Sequence, residues 1–125
     1  MKFARYTFVI AGIYGLLALI PHYFAENSIG HDYPPAVTHP EYFYGFVGIA
    51  VVFQFVFLVI ATDPVRYSPL ILVSILEKLS FGVPALILHF QGRIAPPLFL
   101  GGMIDLFLCA LFIASYFMLW RYERT

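Results

Sequence analysis

The feature that most constrains this chain is an apolar run about 20 residues long that recurs four times within 125 residues. A bilayer core of about 30 Å takes about 20 helical residues to cross, and backbone in lipid must satisfy its own hydrogen bonds. Such runs are therefore read as transmembrane helices. They lie at about residues 6–24, 42–62, 69–90 and 98–120. The expected fold is all-α: one integral membrane domain, a four-helix transmembrane bundle running up-down-up-down. Hydrophobic residues make up 62% and charged residues 11% of the chain, against about 25% charge in a soluble domain. Seven basic and seven acidic residues cancel, so no electrostatic argument favours a nucleic-acid partner. A lone cysteine, Cys109, excludes an internal disulfide and a cysteine-based zinc site.

The ends of the runs carry their own signals. Thr38-His39-Pro40-Glu41 reads as a capping box with Pro40 in the first turn of the second helix. Asp63-Pro64 stops that helix, and Ser68-Pro69 reads as the N-cap and first residue of the third. Gly92 is expected to end the third helix and Pro96-Pro97 to open the fourth. The short connections at 63–68 and 91–97 make consecutive helices antiparallel neighbours. Residues 25–41 read as a long polar loop with three acidic residues.

Lys2, Arg5, Arg66, Arg121 and Arg124 fall on one side of the predicted bundle, and Arg93 alone on the other. The positive-inside rule then places both termini in the cytoplasm, most simply of a cell (inner) membrane. Tyr6, Tyr67, Trp120 and Tyr122 would form the inner aromatic belt, and Tyr23, Tyr42, Phe43 and Tyr44 the outer one. No A-x-A site follows the first run, so it is expected to remain as a helix.

Helices in lipid associate through small residues and interhelical hydrogen bonds. On the first helix Thr7, Ala11, Gly15 and Ala18 form one stripe that ends at His22; on the second, Gly45, Gly48 and Gln54 are the small and polar positions. On the fourth, Asp105, Cys109, Phe112 and Tyr116 share a face, with Gly101 and Gly102 a turn earlier.

The third helix carries Glu77 and Lys78 near its middle, along with Ser74, Ser80 and Pro84. A mid-membrane charge costs roughly 2.5–3.5 kcal/mol on insertion scales, so three with Asp105 call for a purpose. Adjacent residues on a helix diverge by about 100°. Glu77 and Lys78 should thus reach different neighbours, and Asp105 lies at the right depth to pair with Lys78. Two purposes compete: a structural Lys78–Asp105 ion pair, with Gln54 or Ser80 satisfying the spare carboxylate, or a polar ligand or proton site in a bundle cavity. A contact with another subunit is a third use.

All four histidines, His22, His31, His39 and His89, fall toward the end away from the termini. His22 and His89, on different helices, are the weak candidates for a haem or metal ligand. Each helix supplies only one, so haem is disfavoured and no cofactor is predicted. A zinc or copper site would draw on His22, His31 and His39 with Glu26, Asp32 or Glu41, but no spacing is diagnostic. The chain has no phosphate-binding glycine loop, no nucleophile elbow and no H-E-x-x-H. Catalysis would fall to Glu77, Lys78, Asp105 or His89 as acid or base, and a non-enzymatic role is expected.

The run from His39 to Thr62 resembles the second transmembrane helix of EXPERA-domain proteins (sigma-two receptor and emopamil-binding type). The matching positions are Pro40, Phe43, Phe46, Val52, Phe53, Gln54, Phe57, Ile60, Ala61 and Thr62. Ile20-Pro21 with Glu26 is similar to the end of that family's first helix, and Pro69 and Ser74 to positions in its third. The resemblance covers about half the chain and implies a four-helix bundle with a cavity for a lipophilic molecule. Gly48-Ile49-Ala50-Val51 stands where the family carries an acid central to cationic-lipophile binding or sterol isomerisation. On that basis the expected function is binding of a lipophilic small molecule or lipid, with Gln54, Glu77, Lys78 and Asp105 as the polar contacts. The alternative is a non-catalytic accessory subunit of a larger membrane complex. Membrane lipids are the expected partners, with a larger complex or homo-oligomer as the protein ones.

Overall fold

The structure, a computed structural model, describes residues 2–32 and 38–124, without the side chains of 122–124. Five α-helices account for most of these residues: α1 Lys2–Leu19, α2 Glu26–Asp32, α3 Pro40–Thr62, α4 Ser68–Phe90 and α5 Pro96–Arg124. All but α2 belong to segments long and apolar enough to cross a membrane: Lys2–Phe24, Pro40–Thr62, Ser68–Phe90 and Pro96–Arg121. Twenty-three residues of helix, as in α3, reach about 34 Å, a little more than a bilayer core of about 30 Å. The fold is an all-α, four-helix transmembrane bundle.

The first crossing is not uniform. Pro21 has no N–H to continue the α-helical ladder, and α1 gives way at Ile20 to a 3-10 segment, Ile20–Phe24. The stretch expected to be a loop contains a helix as well. Glu26–Asp32 forms α2, with Glu26 in its first turn and His31 in its last, each favourable to the helix dipole. It lacks an apolar stripe, so the sequence carried no periodic signal for it.

Two predicted caps are corrected. The N-cap of α3 is His39 rather than Thr38, without a side-chain cap bond. Glu41 does not reach back to the backbone; its Oε1 instead meets His39 Nδ1 at 3.1 Å. Tyr67, not Ser68, is the N-cap of α4. Ser68 is already helical because Pro69 is pre-set for the first turn and needs no donor there. At the far end of α4 the expectation holds. Gly92 adopts φ 68°, the left-handed conformation that a side chain disfavours. Arg93 N–H then donates to the Leu88 carbonyl at 2.9 Å, and Gly92 N–H to the His89 carbonyl at 3.0 Å. The two bonds close the last open turn of α4.

The bundle consists of two tight antiparallel pairs, α1 with α3 and α4 with α5, with α1 meeting α5 and α3 meeting α4 more loosely. At the end where the termini lie, Arg5 Nε donates to the Ala61 carbonyl at 3.2 Å, linking the start of α1 to the end of α3. Next to this link the interior is filled. Phe8 and Phe112 stack with centroids 4.3 Å apart, and Phe57 meets Phe112 edge-on at 5.1 Å. Ala4, Ala11, Ile60, Ala61, Ile71, Leu108 and Leu119 belong to the same core. Thr7, Ala11 and Gly15 are buried on α1, whereas Gly45 of α3 has no neighbour and is not a packing position. Tyr6 and Trp120 lie exposed near the same end; the side chains of Tyr122 and Arg124 lie outside the described residues. Pro84 sits within α4 without ending it.

Candidate functional site

The other half of the bundle is not filled. A cavity of about 260 Å³ runs between α1, α3, α4 and α5 from the end near His22 and Pro97 to mid-depth. Gln54, Glu77, Lys78 and Asp105 all line it. Four residues dispersed over 52 positions of sequence thus converge on one space. Its remaining wall is mostly apolar, and includes Tyr14 and Ala18 of α1, Phe46 of α3, Phe81 of α4 and Ile104 of α5.

Lys78 stands at the base. It occupies the middle of α4 and is buried, and its Nζ donates to Asp105 Oδ1 at 3.1 Å. The same ammonium lies 5.1 Å from the centroid of Phe57, so a ring of the aromatic cluster stabilises the cation. Glu77 differs from the expectation that it would reach a separate neighbour. Its Oε2 comes to 3.7 Å from Lys78 Nζ, within ion-pair range but too long for a hydrogen bond. One ammonium therefore serves two carboxylates, bonded to Asp105 and only adjacent to Glu77.

Neither expected partner satisfies the spare carboxylate. Ser80 Oγ turns back along α4 and donates to the Glu77 backbone carbonyl at 2.6 Å. Gln54 folds onto its own helix, its Nε2 donating to the Ala50 carbonyl at 2.7 Å. That bond fixes the amide orientation, because a carbonyl accepts only from the NH₂ end. The free end of Gln54 is accordingly its oxygen. Gln54 Oε1 and Glu77 Oε2 are both buried without a hydrogen-bond partner. Both are acceptors, and leaving such atoms unpaired away from water costs about 1–3 kcal/mol each.

Gly15 makes the Gln54 position available. A Cβ at residue 15 would collide with the Gln54 side chain, so the absence of a side chain there leaves room for Gln54 to lie against α1 in this conformation. The stripe on α1 thus does two jobs: Ala11 and Thr7 fill the core, and Gly15 and Ala18 border the cavity.

The histidines do not converge. His22 lines the mouth of the cavity, and its Nδ1–H donates to the Ala18 carbonyl at 2.9 Å. His89 stacks on Phe99 at 3.8 Å, closing the turn between α4 and α5, and is not part of the cavity wall. His31 pairs with Asp32 at 3.2 Å and His39 with Glu41 at 3.1 Å, both on the exposed surface. Among the described residues, no three His, Cys, Asp or Glu side chains come together as a metal site. Cys109 is buried, its Sγ 3.9 Å from the Ile75 carbonyl.

Sequence reasoning missed the aromatic wall. Phe46 and Phe81 pack with centroids 5.5 Å apart and, with Tyr14, frame the cavity. Phe81 lies three and four residues beyond Lys78 and Glu77, the spacing that shares a helix face. That spacing was the available signal. No protein-family model matches the chain, and no curated protein or solved structure is similar to it.

Proposed function

We propose that this chain binds a lipophilic small molecule or the polar end of a lipid inside its helix bundle. The observation that carries the reading is the cavity itself: apolar walls ending on Gln54, Glu77, Lys78 and Asp105 with two buried acceptors unpartnered. Small-molecule sites have this character, mostly apolar with a few convergent polar groups. The partly exposed carboxyl groups of Glu77 and Asp105 on this wall select a ligand that donates hydrogen bonds, through a hydroxyl, an amide or an amine. At about 260 Å³ the cavity lies just below the usual range of about 300–1,000 Å³. It suits the head of an amphiphile whose tail remains in the bilayer. The likeness of α3 to the second helix of EXPERA-domain proteins supports the same reading, and includes Gln54.

The basic residues at the terminal end support an orientation with both termini in the cytoplasm. The competing role, an accessory subunit of a membrane complex, calls for a filled bundle and a protein-covered outer face. The cavity favours binding over that role.

Native mass spectrometry after extraction in mild detergent tests the choice. A single chain or homodimer that retains an added small-molecule or lipid mass is the expected result. Recovery only as a stoichiometric larger complex, with no bound small molecule, would refute binding.

A further inference from the structure

Charge around the cavity does not balance. Its wall holds one ammonium, Lys78, and two carboxylates, Glu77 and Asp105. Tyr14 of α1 and His22 of the 3-10 segment that follows it are its other titratable groups, and α3 contributes the uncharged Gln54. The remaining basic residues stand at or beyond the helix ends: Arg5 is bonded to Ala61, Arg66 lies over Tyr67, and Arg93 is bonded to Gln91. With both acids ionised the middle of the bundle would carry a net charge of −1. A lone charge at that depth is among the costliest groups a membrane protein can hold.

The two carboxylates are not equivalent. Asp105 holds the short bond to Lys78, at 3.1 Å. Glu77 is 3.7 Å away, with Oε2 buried and unbonded. We propose that Glu77 is a proton-binding site: a carboxylic acid held neutral in the membrane beside the Lys78–Asp105 pair, reached through the cavity mouth at His22. A single proton on Glu77 cancels the excess charge. It also leaves the Lys78–Asp105 bond intact, which protonation of Asp105 would not. The proposal does not depend on any organic ligand, because the proton itself is the bound species.

A hydrophobic carbodiimide reads this state directly. Dicyclohexylcarbodiimide partitions into lipid and reacts with the protonated carboxyl. The acid O–H adds across one N=C bond, its proton passing to nitrogen and its oxygen bonding to carbon. The acyl group then migrates to nitrogen, leaving a stable acylurea whose position peptide mass spectrometry reports. The experiment uses the full chain in liposomes without added ligand, from about pH 5 to about pH 9, where a glutamate free in water is almost wholly ionised at the upper end.

The expected result is labelling of Glu77, falling about tenfold per pH unit above its midpoint as the neutral fraction declines. Glu77→Gln removes the label. Asp105→Asn frees Lys78 to pair with Glu77 alone, so the midpoint moves to lower pH and labelling at neutral pH drops by about tenfold or more. Three results overturn the proposal: no label at any pH while circular dichroism shows intact helices, a label on Asp105 in place of Glu77, or slowing by sodium at fixed pH, which would make the occupant a metal cation. If Asp105→Asn does not fold, the pH profile of the unaltered chain still decides.

Discussion

Lys78 of α4 and Asp105 of α5 meet through a 3.1 Å bond at the middle of the bundle, where the filled half ends and the cavity begins. Removing one partner leaves the other's charge unpaired inside the bundle. Lys78→Met should destabilise the bundle by about 3–5 kcal/mol, the range for breaking a buried pair. The double change with Asp105→Leu removes the orphaned charge and should recover much of that loss. Reversible unfolding in mixed micelles measures both; a double variant no better than the single one would show that the pair does not couple the helices.

Gly15 and Gln54 predict a second coupling, between α1 and α3. Gly15→Val forces a side chain into the Gln54 amide and should cost about 1–3 kcal/mol, the usual range for overpacking. Adding Gln54→Ala empties the contested space, so the double variant should be more stable than Gly15→Val alone. Equal stability of the two would place the strain elsewhere.

The aromatic core should matter less than its burial suggests. Phe112 is fully buried between Phe8 and Phe57. In a water-soluble core, Phe→Ala costs about 3–5 kcal/mol. Here the separated helices would return the ring to lipid, so only packing is lost and not transfer from water. Phe112→Ala should therefore cost less than about 3 kcal/mol, and less than Lys78→Met by the same unfolding measurement. The reverse order would contradict this account.

Orientation can be read with thiols. Cys109 is buried, so the unaltered chain should react little with a membrane-impermeant maleimide. Ser28→Cys on α2 and Thr62→Cys at the end of α3 are exposed and alter no charge. In intact cells the first should label, and the second only after permeabilisation. The opposite pattern would invert the proposed topology.

The four crossings were legible because length and apolarity suffice to find a span. Charges were legible for the same reason: Glu77, Lys78 and Asp105 are conspicuous in apolar runs, and antiparallel geometry put Lys78 level with Asp105. Finer features failed for identifiable causes. The seven-residue α2 is too short and polar to show a period. His39 took the N-cap that Thr38 was expected to hold, because a capping motif names candidates without choosing the backbone turn. The cavity wall was hidden most deeply. Phe46, Phe81 and Tyr14 face a void while Phe55 and Phe107 face outward, yet all are aromatic residues in uniformly apolar helices. Lipid and interior favour the same side chains, so the periodicity that marks the inner face of a soluble helix is absent.

The division into two antiparallel pairs has a consequence for biogenesis. The cavity wall draws on α1 and α3 from one pair and α4 and α5 from the other, and neither pair alone encloses it. During synthesis the first hairpin can enter the bilayer before the second exists, and the site is completed only when the two dock. A ligand that bound there would bind only the docked pair of hairpins, and so would draw nascent halves toward the assembled protein.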